Sequence, residues 1–156
     1  MKNHYTLNAG EFYAAQELLK QRKDLRLAFP LEDDGWDLLA VKADGAKTAR
    51  LQVKESRVFL RGNSWHQIKE GKLEDADVFI FVSYVHAAEG ARIKFHPEYL
   101  IVPSTRLREL CKTKTASKGK YSFYFVRRDG KVLDIREKRT QSPADFSEFD
   151  SAWNLI

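Results

Sequence analysis

Cys111 is the only cysteine, so the chain has no intramolecular disulfide and nothing in it argues for a secreted framework. A lone thiol of this kind reads as a small buried hydrophobe. No apolar run approaches the roughly 18–20 residues that span a bilayer. Lys2 is followed by polar residues and not by the apolar stretch of a signal peptide. The expectation from these absences is a cytoplasmic protein without membrane contact. His4, His66, His86 and His96 are scattered and lack the Cys/His spacing of a zinc site, although His66 and His86 could approach the centre in space. Phosphate-cradling glycine motifs and a G-x-S-x-G elbow are missing too, which argues against cofactor-dependent chemistry.

What remains is an ordinary globular composition, 43% hydrophobic and 31% charged over 156 residues. That length suits one domain, 1–156, with a sizeable core. A net charge of +5 favours an anionic partner. No repeat or linker divides the sequence.

Residues 36–42 and 48–54 read as two strands joined by a tight turn at Asp44-Gly45, a pair that tolerates positive φ. With those two at the centre of the turn, facing positions sum to 89, and Asp37 lies opposite Gln52. Side chains alternate with period two, so Lys54 shares the face of Gln52 and is diagonal to Asp37. A carboxylate, an amide oxygen and an ammonium thus converge at one end of a hairpin. A hard divalent cation, Mg²⁺ or Mn²⁺, wants oxygen ligands of the kind Asp37, Gln52 and the Val53 carbonyl offer. Lys54 could then assist an attacking water or balance charge on a phosphate.

The string Asp37, a hairpin-sized gap and Gln52-Val53-Lys54 resembles the PD-(D/E)XK nuclease superfamily, in the branch where glutamine replaces an acidic residue. Gly35-Trp36-Asp37-Leu38 is similar to the G-x-D-L form of its first acidic motif. Gly10-Glu11 is similar to the helical glutamate that many members carry ahead of the strands. The resemblance covers roughly residues 10 to 110 and implies a restriction-endonuclease-like core. It also implies phosphodiester hydrolysis, with Glu11, Asp37, Gln52 and Lys54 as the catalytic set. The departure is Gln52, since a neutral amide binds metal more weakly than a carboxylate does.

Along the rest of the chain, Asn8 can cap a helix running to about Arg22, with Glu11, Ala14, Ala15, Leu18 and Leu19 on one face. Glu11 is then either a first-turn glutamate favoured by the helix dipole or a carboxylate aimed at the hairpin. Residues 25–29 suggest a short strand. In the acidic turn that follows, Asp34 could help hold a second cation. Gly62-Asn63-Ser64 suggests a short helix over 65–70. Residues 78–85, almost continuously apolar, fit a strand buried on both faces, and 98–102 a further strand beyond a loop with Gly90 and Pro97. A helix is expected over 105–112.

Lys112, Lys114, Lys118 and Lys120 punctuate a basic loop. Arg127, Arg128, Lys131, Arg136, Lys138 and Arg139 decorate a second hairpin. Both surfaces could track a phosphate backbone, with DNA the favoured nucleic acid. Tyr121, Phe123 and Phe125 share one face that covers the core in preference to stacking bases. Ser142-Pro143 suggests a terminal helix whose Phe146, Phe149 and Trp153 dock on the domain or form a dimer contact.

The fold class expected is α/β with α+β character, a mixed central sheet flanked by helices. A metal-dependent nuclease is the first functional expectation. The alternatives are an inactive nucleic-acid-binding module that keeps the fold, and a protein-interaction domain in which Asp37 and Lys54 form an ordinary ion pair. A homodimer would suit cleavage of both strands, but no interface is legible.

Overall fold

In the computed structural model, which describes residues 7–31, 35–56, 63–89, 92–137 and 142–156 (backbone alone for 86–89 and 92–95), Asn8 starts helix α1, Ala9–Gln21. Its side-chain oxygen accepts from Glu11 N at 2.9 Å, and Glu11 Oε2 accepts from Asn8 N at 3.0 Å, a reciprocal capping box. The apolar stripe of α1, with Ala14, Ala15 and Leu18 all buried, packs on a five-stranded sheet. Small side chains on that stripe let helix and sheet approach closely.

The sheet has strands β1 (Leu25–Ala28), β2 (Leu38–Lys42), β3 (Thr48–Ser56), β5 (Val78–Glu89) and β6 (Arg92–Pro103), in the spatial order β1-β2-β3-β5-β6. Among the described residues only β3 and β5 run parallel, so the sheet is mixed. β5 lies inside it and alternates between two cores. Val78, Ile80, Val82 and Tyr84 meet α1, while Phe79 and Phe81 meet the other layer. That double burial is why the strand carries hardly a polar residue.

The other layer is an antiparallel sheet of β4 (Asn63–Lys69), β7 (Lys120–Arg128), β8 (Lys131–Asp134) and β9 (Ala144–Asp145), in that order. Phe123, Phe125, Val132 and Ile68 close the second core, together with Leu107 and Cys111 of helix α2, Ser104–Cys111. The cysteine is therefore the small hydrophobe expected of it, and the aromatic face of β7 covers the core. The whole has α+β character.

Three expectations need correction. Residues 63–69 form strand β4, not the start of a helix: Ser64, His66 and Ile68 point inward and Trp65, Gln67 and Lys69 outward, the period of two that a strand demands. Pro97 lies within β6, not in a loop. It is tolerated because β6 is the edge of its sheet. No terminal helix forms. β9 and two single 3₁₀ turns take its place, and Ser151 at φ 50 breaks any helical path. Phe146, Phe149 and Trp153 are nevertheless all buried against the two cores.

Candidate active site

The β2–β3 hairpin pairs Leu38 with Leu51 and Val41 with Thr48, so facing positions do sum to 89. The turn is longer than two residues. Lys42 N bonds Lys47 O at 2.9 Å and Gly45 N bonds Lys42 O at 2.8 Å, which gives a four-residue loop over 43–46. Because that loop is centred on the same Asp44-Gly45 step, the register is the same as for the two-residue turn. Gly45 supplies the left-handed residue at φ 74.

Upstream of β2 the chain turns at Gly35, whose φ of 83 and whose contact with the Asp75 carboxylate leave no room for a Cβ. It then enters the sheet with Asp37 N donating to Leu51 O at 2.8 Å. This fixes Asp37 opposite Gln52. Asp37 Oδ2 accepts from Val53 N at 2.6 Å and, more closely, from the Gln52 amide NH₂. With its NH₂ given to Asp37, Gln52 would reach a cation through its carbonyl oxygen. Within a strand the N–H and C=O of one residue point the same way. The Val53 carbonyl therefore shares the direction of its N–H, toward the space where β2 has not yet begun.

Glu11 is buried at 5% exposure and comes to this place from the N-terminus of α1. Its oxygens accept from Asn8, and its charge acts on Asp37. Burial, and then the Glu11 carboxylate, push the Asp37 carboxyl up to about 6, against the bond from Val53 N–H, the Lys54 ammonium and the Gln52 amide. Gly10 makes the approach of α1 feasible, since a Cβ there would sit 2.9 Å from the Cβ of Glu55 on β3.

These groups line an open cleft of about 530 Å³ whose walls also carry Gln67, Lys69, Lys72 and Lys120. Sequence reasoning missed Lys69, Lys72 and Gln67. The sequence carries little signal for them, because two of the three inward residues of β4, Ser64 and His66, are polar and only Ile68 is apolar. The register of β4 with β7 brings Lys69 opposite Lys120.

Two carboxylates, an amide oxygen and a backbone carbonyl form an all-oxygen donor set that fits a hard divalent cation. Among the described residues no cluster of three or more His, Cys, Asp or Glu could hold a metal, so the set depends on its two neutral oxygens. Asp34 lies outside the described residues, as do Lys138 and Arg139.

The six basic residues expected to meet nucleic acid are dispersed. Lys120 lines the cleft. Lys112, Lys118 and Arg128 are exposed elsewhere. Lys114 is buried in an ion pair with Asp134 at 2.6 Å and lies 4.7 Å from the centre of the Phe123 ring. Arg127 bonds Asp150 at 2.7 Å and pairs closely with Glu98, tying the second sheet to β6. His66 is 2% exposed, with Nε2 3.3 Å from Ser83 Oγ, and burial pushes its imidazole down to about 3. It is a neutral core residue between the sheets at neutral pH.

No described helix is long and apolar enough to cross a membrane. No protein-family model matches the sequence, and no curated protein does. Among solved structures, the chain is similar to a bacterial homing endonuclease, I-Ssp6803I, with a TM-score of 0.54 at 17% identity, over 94% of this chain and 85% of that one. A likeness at that identity is one of fold, and the fold shared is that of a nuclease.

Proposed function

We propose that this protein is a divalent-metal-dependent nuclease acting on DNA, a Q-x-K variant of the PD-(D/E)XK type. The observation that carries the reading is the convergence of Glu11, Asp37, Gln52, Val53 and Lys54 in one cleft whose wall bears three further lysines. A homing endonuclease with the same fold supports it. Asp37, the Gln52 and Val53 oxygens and Glu11 would hold Mg²⁺ or Mn²⁺. The bound ion would supply a Lewis acid and a nucleophilic water at neutral pH. Lys54 sets a cation beside the charge that develops on the phosphate. Lys69, Lys72 and Lys120 hold the neighbouring phosphates and make binding salt-dependent.

Gln52 favours a second reading, a DNA-binding module without cleavage, because the metal set has one carboxylate fewer than an acidic residue there would give. A labelled duplex separates the two. The nuclease reading expects cleavage in Mg²⁺ and none in chelator. It also expects Asp37→Ala to lose both Mn²⁺ binding and cleavage, with an unchanged circular dichroism spectrum. Undiminished Mn²⁺ affinity in Asp37→Ala would overturn the metal assignment.

A further inference from the structure

The cationic wall of the cleft and the edge that carries Asp37 and Gln52 are joined by the segment leading from β4 to β5. It opens with a 3₁₀ turn, Glu70–Lys72, and runs on to Asp77. Leu73 and Ala76 are buried in the second core and anchor it there. Asp77 fastens its end to β3. The Asp77 N–H donates to Arg50 O at 2.8 Å, and Asp77 Oδ2 accepts from Arg50 N at 2.8 Å. The Asp77 carbonyl accepts from Ser104 N, at the start of α2, at 2.9 Å. Arg50 stands two residues ahead of Gln52, so the segment is held against the strand that carries one side of the site.

Asp75 reaches the other side. Its carboxylate packs on Gly35, two residues ahead of Asp37, and fills the space where a Cβ on Gly35 would stand. Gly35 has a φ of 83, so the carboxylate abuts a turn that glycine alone adopts readily. Asp75 Oδ2 also lies 2.7 Å from Lys72 Nζ, and both Gly35 and Lys72 line the cleft. This oxygen is shut off from solvent. β2 begins at Leu38, so Asp37 joins the sheet at the very end of the ladder, with its N–H bonded to Leu51 O. Strand ends fray unless something holds the turn behind them.

We infer that Asp75 is a positioning residue for Asp37. It props the Gly35 turn from a segment anchored on β3, and so sets where the Asp37 carboxylate stands relative to Gln52 and Val53. Lys72 completes the link, because the carboxylate that props the turn also holds a lysine of the cleft wall. Removing a group that orients a metal ligand without touching the metal typically costs roughly 10–100-fold in metal affinity. The inference rests on the nuclease reading only where Asp37 is called a metal ligand. The positioning itself belongs to the metal-free fold.

The test is amide hydrogen exchange, followed residue by residue by NMR in metal-free protein, well below the melting temperature of each variant. The Asp37 and Val53 amides report on the site, the second because it donates to Asp37 Oδ2. Asp75→Ala is expected to speed exchange at these two by roughly tenfold, while the amides of the β5–β6 ladder keep their protection. Asp75→Asn fills the same space and is expected to exchange like the wild type. Mn²⁺ titration is expected to follow the same order, with affinity roughly tenfold weaker in Asp75→Ala and unaltered in Asp75→Asn. Unchanged exchange at Asp37 and Val53 in Asp75→Ala would overturn the inference. So would a uniform acceleration across both sheets, or an Asn variant as loose as the Ala one. Local loosening in a protein that binds no Mn²⁺ would sink the metal-dependent reading and leave this one standing. Mn²⁺ binding that requires Asp37, with exchange unaltered by Asp75→Ala, would do the reverse.

Discussion

The buried carboxylate of Asp37 works against the fold that holds it. Its folded pKa of about 6 exceeds the ordinary 3.8, so between those values the folded chain holds more protons than the unfolded one. Stability from this group is therefore highest at about pH 4, falls as the pH rises through the window, and is fully reduced above pH 6. Asp37→Asn keeps an oxygen for the Val53 N–H and removes the charge. It is expected to stabilise the metal-free protein at pH 7 by on the order of 2 kcal/mol, with no gain at pH 4, and to abolish cleavage. Urea unfolding at the two pH values measures the first part. A variant less stable than wild type at pH 7 would contradict the idea that the site is held at the expense of stability.

Among the secondary-structure elements, α1 matters most to the site, because its first turn delivers Glu11. Gly10 lets that turn close on Glu55 of β3. Gly10→Ala should push the helix end outward, cost about 1–3 kcal/mol through overpacking, and slow cleavage by moving Glu11 away from Asp37. Urea melts and nicking rates check it, and a variant that melts and cuts like wild type would show that the close contact is dispensable. The hairpin and this cap were both legible in the sequence, because local chemistry determines them. Asp44-Gly45 centres the turn whether the loop has two residues or four, and Asn8 with Glu11 makes a capping box from neighbouring residues alone. β4 was not legible in the same way. Gly62-Asn63-Ser64 imitates a helix cap, and two of the strand's inward residues, Ser64 and His66, are polar. Their burial depends on distant partners: Ser83 for the imidazole, and β7 for the whole strand. The cleft lysines Lys69 and Lys72 were lost with it. The terminal segment misled in the opposite way. Phe146, Phe149 and Trp153 have helical spacing, but each fills a core from a 3₁₀ turn or the residue before one.

For the molecule as a whole, function turns on how the two sheets meet. The first sheet and its helix carry the acidic and amide side chains of the site, with Glu11 on α1, Asp37 just ahead of β2 and Gln52 on β3. β4 lies beside β3, with Trp65 N bonded to Ser56 Oγ at 3.2 Å, and presents lysines to the same cleft. Neither sheet has both halves of the site. An edge of oxygen ligands set against a cationic wall is what the proposed polyanionic substrate with a reacting phosphate would require. In the proposed nuclease Lys54 has a role apart from substrate binding, since it lines the cleft beside Asp37 and Gln52. The most direct test is nicking of supercoiled plasmid by wild type and by Lys54→Ala, in Mg²⁺, in Mn²⁺ and in chelator. Metal-dependent nicking by the wild type that falls at least about a hundredfold in folded Lys54→Ala is the predicted result. No nicking by folded wild type in either metal, or equal nicking by both proteins, would contradict the account.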